Sequence, residues 1–132
     1  MTRIAIDAMG GDNAPQEVVA GAVWAASDYG VAIELVGKPD KIEYELDRIN
    51  AEGIVSTAGG FKPQRIKIDT SKLDIKITQA NEVIEMGEAP GQAIRRKKKS
   101  SIVLAVDAVA TGSSQAVVAA GSTGAAMASS LF

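Results

Sequence analysis

Short apolar runs alternate along this chain with longer stretches of helical periodicity. Residues 3–8, with Ile4, Ala5 and Ile6, read as a buried strand. Over 14–28, Val18, Val19, Ala22, Val23 and Ala26 recur at helical spacing. Asn13 is a candidate N-cap, Pro15 sits in the first turn, and Gly30 is the expected terminator. Trp24 lies to one side of that stripe and reads as a partly buried flank residue. A second strand is predicted over 31–36, closed by Gly37. Pro39 and Asp40 then open a second helix with Ile42, Leu46 and Ile49 on one face. Residues 53–64 read as a loop containing a Gly59-Gly60 pair. The alternation over 65–69 and 73–78 predicts two short strands, or one interrupted strand.

A polar turn covers 85–91, and Pro90 opens a short basic helix running through Arg95, Arg96, Lys97, Lys98 and Lys99. Ser100 and Ser101 are candidate caps for the next helix, which carries Ile102, Val103, Val106 and Val109 and ends at Gly112. Residues 116–120 read as a buried strand. Gly121-Ser122-Thr123-Gly124 follows, and then an Ala-rich helix start with no stop signal through Leu131 and Phe132. The whole predicts a single α/β domain: an open, mostly parallel sheet with helices on both faces. The missing stop signal predicts that 1–132 is the N-terminal portion of a longer protein.

Composition narrows the chemistry. The net charge of −2 gives no global attraction to nucleic acid or membrane. There is no cysteine, which excludes disulfides, thiolate metal sites and a Cys nucleophile, and which is compatible with a cytoplasmic location. There is no histidine, so neither a Ser-His-Asp triad nor a His general base can be built from this chain. No signal peptide is visible. The apolar run over 102–110 is broken by Asp107 and is too short to span a bilayer.

Three constellations remain. Asp7, Gly10, Gly11 and Asp12 stand at the end of the first strand, where open α/β sheets bind ligands. The two carboxylates suit a divalent metal or a donor to be oriented. The plainer alternative has Asp7 accepting from turn amides and Asp12 capping the first helix. Gly121-Ser122-Thr123-Gly124 sits between strand and helix, where converging amides, two hydroxyls and the helix dipole favour an anion. It lacks a P-loop Lys and the full dinucleotide fingerprint, and it also suits a tight connection alone. In the basic run, Arg95 and Lys98 are three apart on the predicted helix and would meet an anion held also by Ser100 and Ser101. The alternative is a solvated helix end. Glu82 and Glu85 flank another turn without a specified role.

The segments Asp7-Ala8-Met9-Gly10-Gly11-Asp12-Asn13-Ala14-Pro15, then 82–101 with Glu82-Val83-Ile84-Glu85-Met86-Gly87-Glu88-Ala89-Pro90 and Lys97-Lys98-Lys99-Ser100-Ser101, then Ala120-Gly121-Ser122-Thr123-Gly124-Ala125, together resemble the PlsX family. These are bacterial phosphate acyltransferases of phospholipid synthesis. The resemblance implies an isocitrate/isopropylmalate dehydrogenase-like architecture, a homodimer, and transfer of an acyl group from acyl-carrier protein to inorganic phosphate. It implies no cofactor and no metal, with peripheral membrane association, if any, through a part outside these residues. The expected catalytic residues are Asp7, Arg95 and Lys98. Gly10, Gly11, Asp12, Ser100, Ser101, Gly121, Ser122, Thr123 and Gly124 are expected to bind substrate. Ser122 departs from the Asn usual in the family, and 53–72 is longer than usual.

The implied chemistry suits a chain without His. A phosphate dianion, with a second pKa of roughly 6, is an abundant nucleophile at neutral pH. A thiolate of conjugate-acid pKa about 8.5 needs little help in leaving. Two rival functions use the same residues: a phosphotransacetylase-like enzyme taking acyl-CoA, and a non-catalytic phosphate-binding module. The fragment on its own is expected to be inactive.

Overall fold

A computed structural model describes residues 2–56 and 62–131. The elements run β1 (Arg3–Asp7), α1 (Gln16–Tyr29), β2 (Ala32–Gly37), α2 (Pro39–Glu52), β3 (Ile54–Ser56), β4 (Gln64–Ile66), β5 (Ile75–Gln79), α3 (Pro90–Arg96), α4 (Ser101–Ala110), β6 (Ala116–Val118) and α5 (Thr123–Leu131). A single 3₁₀ turn, Thr70–Lys72, precedes β5, and the Asp69 side chain accepts from the Ser71 amide at its start.

The main sheet has the order β5-β2-β1-β6, with every pairing parallel. Side chains alternate across it, and each face has its own core. On one face Ile6, Ile33 and Leu35 pack against Val19, Ala22, Val23 and Ala26 of α1 and Ile42 and Ile49 of α2. On the other, Ala5 and Val36 pack against Ala105 and Ala108 of α4. α3, α4 and α5 form a further cluster around Ile84, Ala93, Ile102 and Ala125. The fold is therefore α/β, with helices on both faces of a parallel sheet.

Local signals account for most boundaries. Gly30 takes the left-handed conformation (φ 66°) and its amide closes α1 on Ala26. Pro39 occupies the first turn of α2, where its missing N–H costs nothing. Trp24 packs on the core from the flank of α1 and donates from Nε1 to Asp28 at 2.8 Å.

Several expectations are corrected. α1 begins at Gln16 without a side-chain cap, and Asn13 contributes only its carbonyl, to the Glu17 amide. Residues 53–64 contain β3 and the first residue of β4, which pair antiparallel as a separate ribbon. β4 and β5 thus lie in different sheets. The Gly59-Gly60 pair and Phe132 fall outside the described residues. β6 is a short edge strand rather than a buried one, with Ala116 and Val118 exposed. α4 buries Ser101, Ile102, Ala105 and Ala108, whereas Val103, Val106 and Val109 are half-buried. Small side chains let this helix approach the sheet closely, so the seam follows size rather than hydrophobicity.

α3 also ends one turn early. Lys97 is its C-cap, and Lys98 and Lys99 lie in the turn beyond it. Arg95 and Lys98 therefore do not share a helix face.

Candidate functional site

The chain lays down β1, β2 and β5 in one direction across the sheet, then returns to place β6 on the far side of β1. The direction of winding reverses between β1 and β6. In open α/β sheets the crevice beyond the C-terminal strand ends at such a reversal is where ligands bind. The turn after β1 carries Gly10 and Gly11, and the turn after β6 carries Gly121. The topology thus brings two of the three constellations to the switch point.

The two turns touch through their backbones. A Cβ on Gly10 would lie 2.7 Å from Asp7 Oδ2 and 3.1 Å from the Gly121 nitrogen. A Cβ on Gly121 would lie 3.0 Å from Gly10 Cα. One on Gly11, whose φ is +107°, would lie 3.1 Å from the Ala120 carbonyl oxygen. A Cβ at any of the three would require its neighbours to give way, and glycine takes the Gly11 conformation far more readily than other residues. At Gly124 a Cβ would collide with the Pro90 ring, so α3 and α5 begin in contact.

Asp7 stands behind this clasp, buried at 4% exposure, at the end of β1. Its Oδ1 accepts from the Met9 amide at 3.1 Å. Burial pushes its carboxyl pKa above the ordinary value. The neighbouring Ser101 hydroxyl and the Met9 and Gly10 amides pull in the opposite direction and are outweighed. Ser101 Oγ, itself buried, completes no hydrogen bond of standard geometry, so its influence on Asp7 is one of proximity.

The start of α4 is held from both sides. Ser100 Oγ accepts from the Val103 amide at 3.4 Å as a true N-cap. The Ser101 amide donates to the Glu82 carbonyl at 2.9 Å. Glu82 so contributes through its main chain, in a bridge to Ser100 that no residue pattern announces. At α5, Ser122 Oγ accepts from the Ala125 amide at 3.2 Å, which makes Ser122 its cap. Thr123 is exposed at the first helical position.

Other expected site residues lie elsewhere. Asp12 is exposed in the turn before α1, and its carboxylate does not cap that helix. Arg95 is exposed on α3 and Lys98 is exposed beyond it. Neither makes a hydrogen bond or ion pair with the Gly121–Gly124 turn among the described residues. The cation with a defined structural task is Lys97, whose Nζ donates to the Val83 carbonyl at 2.8 Å and to Glu88 Oε2 at 2.7 Å. No local pattern separates it from the other basic residues of 95–99, because its partners lie 14 and 9 residues away.

A family model described as fatty acid synthesis protein matches residues 2–132. The chain belongs to that family. Among curated proteins it is similar to a phosphate acyltransferase of Pelotomaculum thermopropionicum, 48% identical over 130 residues. That match covers 98% of this chain and 32% of the relative. A phosphate acyltransferase of Desulforamulus reducens is 48% identical over 132 residues, covering 100% of this chain and 34% of the relative. One from Geobacter sulfurreducens is 45% identical, covering 98% and 32%. The chain spans about a third of the length of these relatives. The family membership agrees with the expectation raised by the three motifs.

Proposed function

We propose that this chain supplies the phosphate-binding sheet edge of an acyltransferase that moves a fatty acyl group from acyl-carrier protein to inorganic phosphate, for phospholipid synthesis. The observation that carries this reading is the glycine clasp at the β1/β6 switch point, with the amide-rich start of α5 beside it. The relatives' name, phosphate acyltransferase, supplies the reaction class.

In the proposed step a phosphate oxygen attacks the thioester carbonyl. A C–O bond forms, the C–S bond breaks, and the thiolate departs to take a proton from solvent. Binding energy goes into holding the dianion against the carbonyl and stabilising the oxyanion. Main-chain amides of the two turns and the hydroxyls of Ser122 and Thr123 suit those tasks. Arg95 has no ion-pair partner among the described residues, which leaves its guanidinium available to the anion. In the same reading the parent protein is a cytoplasmic homodimer of isocitrate/isopropylmalate dehydrogenase-like architecture.

The test is a phosphate titration of the ¹⁵N-labelled chain, followed at the Gly10, Gly11, Gly121 and Thr123 amides. Saturable shifts confined to these turns are expected, with apparent affinity lowered about tenfold or more by Arg95→Ala. Absence of any shift at the turns removes the site. In a full-length relative, acyl phosphate trapped as hydroxamate from acyl-carrier protein but not from acyl-CoA would separate this reading from a phosphotransacetylase-like one.

A further inference from the structure

Among the described residues six cations are committed, and Lys38, Lys41, Lys62 and Lys72 are scattered outside any ion pair or hydrogen bond. Arg3 pairs with Asp74, Arg48 with Glu45, Lys76 with Glu34 and Lys97 with Glu88. Arg65 and Lys67 donate to main-chain carbonyls at the end of α2. The stretch 95–99 is different. Arg95, Arg96, Lys98 and Lys99 are all exposed, and none forms an ion pair or hydrogen bond among the described residues. Three carboxylates lie in the adjoining loop. Glu88 is held by Lys97, and it also feels the charge of Arg96. Glu85 is exposed and Glu82 is half-buried beside Ser100. The local balance is four free cations against two free carboxylates, in a chain whose net charge is −2.

Such a concentration of unpaired like charge repels itself, and an opposite surface would relieve it. The short helix α3 has no apolar face to lay into lipid, and Met86 is the one large exposed apolar side chain of the adjoining loop. Cations without an apolar face give a bilayer only one, salt-screened anchoring signal where stable attachment takes two, so charge complementarity here favours a protein. The location adds a reason. Lys99 immediately precedes Ser100, the cap of α4, and the next residue, Ser101, lies against Asp7 behind the glycine clasp. A macromolecule docked on 95–99 would be seated beside the strand edge.

We propose that the exposed basic end of α3 and the turn after it form a docking surface for a protein face rich in carboxylates. Resting on the function proposed above, that face belongs to the protein that carries the acyl thioester. Docking places the thioester near the switch point, and Arg96, Lys98 and Lys99 act on association rather than on the reacting atoms. Charges of this kind steer encounter and are screened by salt.

The experiment titrates purified acyl-carrier protein into the ¹⁵N-labelled 132-residue chain at low and at physiological salt. It is repeated with Arg96→Glu/Lys99→Glu and with Arg96→Gln/Lys99→Gln, each first checked for an unchanged far-UV spectrum. Expected shifts map to α3 and 97–99, with binding weakened about tenfold or more by the double reversal, less by the neutral pair, and strongly by salt. Inorganic phosphate is titrated separately and should shift the glycine turns equally in all three chains. Carrier binding that is undiminished by charge reversal, or absent from the wild-type chain, overturns the docking surface. So does capture by phosphatidylglycerol vesicles without carrier binding. Loss of the phosphate response with docking intact would overturn the proposed function while leaving the acidic-face surface standing.

Discussion

Asp7 shows how one residue can be read two ways. A buried carboxylate next to a ligand edge suggests a catalytic base, but its oxygens face Met9, Gly10 and the start of α4. Burial raises its pKa, so the folded chain retains a proton that the unfolded chain has released. Stability is therefore free of this cost below the unfolded value of 3.8 and falls as pH rises through the raised value. Asp7→Asn keeps an acceptor for the Met9 amide and removes the titration. Its urea midpoint should match or exceed wild type near neutral pH, with the difference shrinking in acid. Asp7→Ala loses the acceptor and should cost about 1–3 kcal/mol. An Asn variant as unstable as the Ala variant would show that the charge itself is required. The glycine clasp makes a second prediction. Gly10→Ala and Gly121→Ala force backbone apart and should each cost about 1–3 kcal/mol. Gly21→Ala, on a helix with open space around it, should stabilise by about 0.5–1 kcal/mol. Equal effects at all three positions in denaturant unfolding would refute the close approach.

Among elements, α3 is the one whose length changes the chemistry. It stops at Arg96 because Lys97 turns back to the Val83 carbonyl and the Glu88 carboxylate, which ties the helix end to the loop before it. The Lys97 hydrogen bond is the largest influence holding the Glu88 pKa below its ordinary value of 4.5. The contribution of this tie is present above that value and is lost as pH falls through the lowered one. The Glu85 amide donates to Glu88 Oε2 at 2.7 Å and so reports on the tie. Its proton shift should titrate with a midpoint below 4.5 in the wild type, moving back toward 4.5 in Lys97→Ala. An unmoved midpoint would mean that Lys97 does not hold the loop.

For the whole molecule, the doubly wound sheet places two glycine turns, far apart in sequence, in contact at its switch point. The same topology leaves β6 at an edge, with Val118 about half exposed and Met127 and Leu131 of α5 also open. Open strand edges and exposed apolar side chains favour association. Sedimentation velocity on the chain should show concentration-dependent association, reduced by Val118→Lys. A strict monomer at all concentrations, or association untouched by that charge, would contradict this.

Strand and helix order, the Gly30 stop, the Pro39 start and the Ser100 cap were legible because each depends on neighbours within a turn or two. The motifs around Gly10 and Gly121 were legible for the same reason, since glycine, hydroxyl and carboxylate spacing is local. Tertiary structure decided the rest. Ile54–Ser56 became a strand only by pairing with Gln64–Ile66, and β6 became an edge only through its place beside β1. Lys97 was separated from its charged neighbours by partners 9 and 14 residues away. The contact between Gly10 and Gly121 depends on which strands lie side by side. A one-dimensional pattern records what each segment prefers. Which segments meet is set by packing both faces of one sheet at once, and that requirement belongs to no segment alone.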